Sequence, residues 1–202
     1  LQRGAVMVGI VDYGAGNLRS VQKALEAIGV PALISGERSV LDGCDKLILP
    51  GVGSFGAGMA ELSARGLNAY IKARARDTKI LGICLGMQFL LERSFEEGEH
   101  AGLGFVPGQV VRFARGKIPQ IGWNGVFSLK TPLFDGIEEG TRFYFVHSYR
   151  ADCPEGYACA RTEYYDIYPS AVWSGNVYGV QFHPEKSGAA GLRLLKNFCG
   201  MN

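Results

Sequence analysis

The chain has 202 residues, 47% of them hydrophobic and 20% charged, with a formal net charge of +2 at pH 7. That length suffices for one domain with a substantial core. Its Lys and Arg residues are scattered rather than blocked, which argues against a nucleic-acid partner, and no apolar stretch approaches the ~20 residues a membrane-spanning helix needs. The five cysteines (Cys44, Cys84, Cys153, Cys159 and Cys199) are odd in number and fit no zinc spacing; no metal and no other cofactor is expected. No signal-peptide pattern is seen, and a reducing cytoplasm is the expected compartment. Leu1–Ala5, ahead of the first apolar run, reads as an extension.

In chain order, Val6–Val11 is a continuous apolar run, the pattern of a strand buried on both faces in a parallel sheet. Tyr13–Gly16 is a turn. Asn17 is placed to cap a helix carrying Leu18, Val21, Leu25 and Ile28, which Gly29 stops. Val30–Ile34 and Lys46–Leu49 are strands, and Pro50 is expected to end the second because it lacks an N–H. A helix over Gly58–Arg76, interrupted at Gly66, a strand at Lys79–Ile83 and a helix at Leu85–Arg93 complete an alternating first half. In the second half, Gln109–Phe113, Val126–Leu129, Phe143–Arg150 and Ala158–Thr162 read as strands. Ala171–Trp173 and Val177–Phe182 form a hairpin around Ser174-Gly175-Asn176, and Leu192, Leu195 and Phe198 mark a closing helix. The expected architecture is α/β: one three-layer domain over residues 1–202, with a mostly parallel mixed sheet flanked by helices and an additional antiparallel portion late in the chain.

Three segments carry chemistry. In Gly82-Ile-Cys84-Leu-Gly86 a cysteine stands between a buried strand and a helix, with a glycine two residues to either side, as in a nucleophile elbow. The tight turn would push the sulfur out of the sheet, the helix start would favour the thiolate, and the Leu85 N–H would be free for a developing oxyanion. Taken singly, the same string also describes a buried structural cysteine, the reading given to the other four. His183, in Gln181-Phe-His183-Pro-Glu185, follows an apolar strand. Glu185 two residues on can hold one imidazole nitrogen and leave the other to face a thiol. Of the other histidines, His100 lies in a Glu/Gly-rich loop, whereas His147 is a closer rival, read as a satisfied histidine near the site. Finally, Pro50-Gly51-Val52-Gly53 follows a strand and offers backbone N–H groups as a second oxyanion donor. No Gly-Lys-Ser/Thr follows, which excludes a P-loop.

Together these strings resemble the class I, or triad, glutamine amidotransferases. Asp12-Tyr-Gly-Ala-Gly-Asn17-Leu18, Gly122-Trp123-Asn124, Phe145-Val-His147-Ser-Tyr149 and His183-Pro-Glu-Lys186-Ser187 narrow the resemblance to the glutaminase subunits of imidazole glycerol phosphate synthase, over nearly the whole chain. The resemblance implies a glutaminase with Cys84, His183 and Glu185 as catalytic residues. It implies oxyanion donors at Leu85 and in the Val52–Gly53 loop, and glutamine contacts from Gly51, Gln88, Glu96, Ser148 and Tyr149. It also implies a heterodimer with a (β/α)8-barrel cyclase that takes ammonia to make imidazole glycerol phosphate and an aminoimidazole carboxamide ribotide. Asn17, Gly122, Trp123, Asn124, Tyr144 and Lys186 match family positions near that interface, although Trp123 reads equally well as a core aromatic. The competing readings are a glutaminase of vitamin B6 or anthranilate synthesis, a cysteine peptidase built on the same elbow, and a non-catalytic scaffold.

Overall fold

A computed structural model describes residues 6–14 and 16–201. The extension expected at Leu1–Ala5, and Ala15 of the turn expected over Tyr13–Gly16, lie outside the described residues. The elements are β1 (Val8–Val11), α1 (Leu18–Ala27), β2 (Ala32–Ser35), α2 (Arg38–Leu41), β3 (Lys46–Gly51), α3 (Phe55–Ala64), α4 (Leu67–Arg74), β4 (Lys79–Cys84), α5 (Leu85–Gln88), β5 (Leu91–Ser94), β6 (His100–Ala101), β7 (Val106–Arg112), β8 (Gln120–Gly125), β9 (Arg142–His147), β10 (Tyr149–Asp152), β11 (Ala158–Tyr164), β12 (Asp166–Ser174), β13 (Val177–Val180) and α6 (Gly188–Gly200).

The main sheet has the order β11-β12-β13-β4-β3-β1-β2. Strands β2, β1, β3, β4 and β13 run parallel, while β12 and β11 are antiparallel additions. β10-β7-β5-β6 form a second sheet and β8-β9 a ribbon. The parallel strands are apolar throughout because both of their faces are covered. Val8, Ile10, Ile48, Leu81 and Ile83 pack with Val21 and Leu25 of α1, Leu194, Leu195 and Phe198 of α6, and Phe143 and Phe145 of β9. On the opposite face Leu47, Leu49 and Ile80 meet Leu62 of α3, Leu67 and Ile71 of α4, and Val106 and Val110 of the second sheet. This is the expected three-layer α/β arrangement, with the period-2 alternation of β3 and β4 dividing side chains between two cores.

Several elements differ from expectation. Pro50 does not end β3, which continues to Gly51 and pairs with β4 as far as Gly51↔Cys84. The β1 ladder stops at Ile48, and the Pro50 carbonyl is taken by the Tyr13 hydroxyl at 3.0 Å. The missing N–H therefore falls beyond the end of β1, where no ladder partner waits for it. The helix expected over Leu85–Arg93 stops at Gln88, since Leu91–Ser94 pairs with both β6 and β7. That pairing outweighs helix propensity, and the single turn beneath Cys84 supplies little of the dipole assumed for it. Val126–Leu129 makes only the Phe127↔Arg161 bridge. The strand lies just before it at β8, which its two glycines and Asn124 disguised. Phe143–Arg150 divides at Ser148 into β9 and β10, which join different sheets. Asn17 does stand at the N-cap of α1 but makes no side-chain bond to the helix backbone. Its Oδ1 accepts instead from the Ser20 hydroxyl at 2.7 Å. Gly66, at φ +62, separates α3 from α4 as its position suggested.

Candidate active site

Parallel pairing of β4 with its two neighbours assembles the site. On one side Gly51 is the register partner of Cys84. On the other the ladder ends at Val180↔Ile83, so the next residues, Gln181 and Cys84, emerge side by side from the same end of the sheet, where open α/β sheets place their ligands. Cys84 has φ 56 and ψ −112. Positive φ at a non-glycine residue is strained by roughly 1–3 kcal/mol, which the packing of the flanking segments must offset. The flanking glycines leave room for it. A Cβ on Gly86 would collide with the Leu49 carbonyl, one on Gly82 would lie 2.5 Å from Gly86 O, and one on Gly51 would lie 2.7 Å from Gly86 N and from Leu85 Cβ. The Pro50–Gly53 loop can therefore lie directly against the elbow.

His183 begins the turn after β13, its N–H held by Tyr144 O at 2.9 Å. Its Nδ1 lies 2.8 Å from Glu185 Oε1, and both side chains are buried. A carboxylate oxygen only accepts here, so Nδ1 carries the proton and the second nitrogen, Nε2, is turned to the reaction side. Nε2 has no hydrogen-bond partner. Burial alone would push the His183 pKa down, but its neighbours Cys84 and Glu185 outweigh burial and raise the pKa to about 10. A ring held by a carboxylate on one side and facing a cysteine on the other, with its pKa raised, is the arrangement that thiol activation by a histidine requires.

Cys84 and His183 open into one pocket of about 380 Å³, which Val52, Gly53, Leu85, Gln88, Glu96, Ser148, Tyr149 and Lys186 also line. The expected catalytic, oxyanion and glutamine-contact positions thus converge, apart from Gly51 and Glu185, which sit directly behind the lining. The Glu96 carboxylate also accepts from Phe55 N–H at 2.6 Å, tying the pocket wall to the start of α3. Of the interface positions, Trp123 is 51% exposed and is not a core aromatic. Its ring meets Tyr144 edge-on at 6.1 Å, and Lys186 Nζ lies 5.9 Å from the Tyr144 ring, so these three residues form one surface patch. Gly122 precedes Trp123 at φ +127, and Asn124 donates to Glu163 O at 2.8 Å. Asn17 is half-buried at the start of α1.

His147 does not belong to the triad. Its Nδ1 is 2.8 Å from Tyr149 O and its Nε2 is 3.2 Å from the Tyr168 hydroxyl. Burial, with the His183 charge adding to it, lowers its pKa to about 4 against the opposing Tyr149 bond. Sequence reasoning gave no role to Gln181, although it is fully buried between Gln88 and Cys84. The available signal was its position one residue past the end of a strand paired with β4. Among the described residues no cluster of three or more His, Cys, Asp or Glu could hold a metal ion, and no helix is long and apolar enough to cross a membrane.

The family profile for Glutamine amidotransferase class-I matches residues 9–201. The chain is 49% identical over 200 residues to the imidazole glycerol phosphate synthase subunit HisH of Sulfurimonas denitrificans, covering 95% of this chain and 97% of the relative. Against the HisH subunit of Geobacillus kaustophilus the identity is 47%, covering 96% and 97%. Among solved structures, PurLQS from Thermotoga maritima superposes with a TM-score of 0.78 at 24% identity, covering 96% of this chain and 98% of that one. A glutamine amidotransferase from the same organism gives 0.64 at 18%, covering 97% and 83%. Fold, site geometry and near-complete alignment agree: this chain belongs to the class-I glutamine amidotransferases, and within them to the family of imidazole glycerol phosphate synthase HisH subunits.

Proposed function

We propose that this chain is the glutaminase subunit of imidazole glycerol phosphate synthase, hydrolysing L-glutamine to glutamate and ammonia for histidine biosynthesis in the cytoplasm. The Cys84 sulfur attacks the carboxamide carbon, and the oxyanion is held by the N–H of Leu85 with one from the Val52–Gly53 loop. His183, oriented by Glu185, protonates the departing ammonia, then takes a proton from the water that attacks the thioester, releasing glutamate and the thiolate. Gln88, Glu96 and the Ser148–Tyr149 backbone hold the substrate. The observation that carries this reading is the buried His183–Glu185 pair at 2.8 Å, facing a strained cysteine in the same pocket.

Ammonia released into water would be lost, so the reading includes a partner, a (β/α)8-barrel cyclase seated over Asn17, Gly122, Trp123, Asn124, Tyr144 and Lys186. The names of the relatives favour this pathway over vitamin B6 or anthranilate synthesis. The test is covalent labelling with a glutamine chloroketone, with and without cyclase, followed by peptide mapping and glutamine turnover. The expected result is one adduct, on Cys84, formed faster with cyclase and its phosphoribulosyl ligand present. Turnover that survives Cys84→Ala, or an adduct elsewhere, would overturn the assignment.

A further inference from the structure

Beside the Cys84 sulfur lies a hydrogen-bond chain whose polarity is fixed by a group that cannot reverse. The Tyr149 backbone carbonyl only accepts. It receives Gln88 Nε2 at 3.0 Å and faces His147 Nδ1 at 2.8 Å. The end of the Gln88 amide that faces Tyr149 O is therefore its nitrogen, and the second N–H of that nitrogen donates to Gln181 Oε1 at 3.1 Å. With its oxygen so engaged, Gln181 must turn its own nitrogen to Cys84, where Nε2 lies 3.7 Å from the sulfur. Gln181 is fully buried, and its backbone N–H is held by Ser170 O at 2.8 Å.

We infer that Gln181 is a positioning residue that donates a hydrogen bond to the Cys84 thiolate and holds it in its reactive, charged form. The inference rests on the catalytic role proposed for Cys84. An N–H donor favours the charged acceptor over the neutral thiol. Its opponent is the Val146 carbonyl, 3.9 Å from the sulfur, which suits a neutral S–H. The other titratable groups around the sulfur are His183 backed by Glu185, the Tyr13 phenol, and His147, Tyr149, Glu96 and Lys186 on the pocket wall. His183 supplies the larger attraction, but it must surrender a proton during turnover. Gln181 has no proton to give and keeps its donor in place through the cycle.

The test follows the pH dependence of iodoacetamide alkylation in the full chain, for wild type, Gln181→Met and Gln181→Glu. Cys84→Ala sets the background from the other four cysteines. Met fills a similar volume without a donor, and Glu places a carboxylate beside the sulfur. Losing one hydrogen bond to a charged acceptor should slow alkylation of Gln181→Met near pH 6 about tenfold and move its midpoint up by about one pH unit, with a larger shift for Gln181→Glu. In the cyclase complex kcat should fall by a similar factor while KM for glutamine changes less than about threefold. Circular dichroism and urea midpoints confine the comparison to folded variants. Should Gln181→Met fail to fold, Gln181→Asn, which retains a donor on a shorter stem, should show an intermediate shift. A folded variant lacking the donor whose alkylation profile overlays wild type would overturn the inference while leaving Cys84 as nucleophile. Turnover persisting in Cys84→Ala would instead remove the catalytic reading beneath it.

Discussion

The neutral state of His147 contributes to how the fold responds to acid. In the unfolded chain its pKa returns to about 6.5, whereas in the fold it is about 4. Between these values the unfolded state binds the extra proton, so stability rises with pH across the window and is lost as pH falls through it. Each pH unit is worth about 1.4 kcal/mol, which makes the full contribution roughly 3 kcal/mol, a large share of the ~5–15 kcal/mol typical of a domain. Burial is the main cause, and protonation would also place a second positive ring near His183. The assay is urea unfolding of wild type and His147→Gln from pH 4 to pH 7.5. Gln cannot take up the proton, so subtracting its curve cancels the titration of the carboxylates. The wild-type advantage should grow by roughly 3 kcal/mol as pH rises from 4 to 7, most steeply below pH 6, and then level off. A difference that stays flat across that range would refute the argument.

Four further variants test the site and its surroundings. Glu185→Gln removes the carboxylate that helps raise His183, so kcat should fall about a hundredfold or more with KM little changed, as steady-state kinetics would show. The same variant should lose the imidazolium at lower pH than wild type, moving the alkaline limb of the rate profile downward. Gly86→Ala drives a methyl into the Leu49 carbonyl and should destabilise the chain by about 3 kcal/mol or more in urea titration. Gly104→Ala, with open space around its Cβ and only φ +71 against it, should lose about 1 kcal/mol. Trp123→Ala should alter the stability of the isolated chain by about 1 kcal/mol or less, yet weaken cyclase binding about thirtyfold or more in calorimetry.

The parallel half was legible because both-face burial writes continuous apolar runs, as at β1 and β4, and because Gly29 and Gly66 mark helix boundaries by positive φ. The hairpin joining β12 to β13 was legible for the same local reason, its loop being Gly175-Asn176. What could not be read locally was decided by pairing at a distance. Leu91–Ser94 carries helix-compatible residues but is captured by β7, fifteen residues later, and Gln120–Gly125 becomes a strand through β9, some twenty residues on. Pro50 misled for a subtler reason. Its effect depends on which neighbour the missing N–H would have faced, and that is a property of the sheet rather than of the residue.

The same distinction separates the parts of the site. Cys84, His183 and Glu185 announce themselves because elbow and pair are local motifs, two residues wide on either side. The environment that tunes them is not local. Gln181 reaches the sulfur because β13 runs parallel to β4 in the register Val180↔Ile83; a slip of one residue would put Phe182 there and send the amide to the other face. Its polarity in turn depends on Tyr149, which a different strand brings from the second sheet. The electrostatic state of the nucleophile is thus written into sheet register as much as into side-chain identity. It follows that substitutions shifting β13 against β4 should perturb Cys84 reactivity without touching any residue of the pocket.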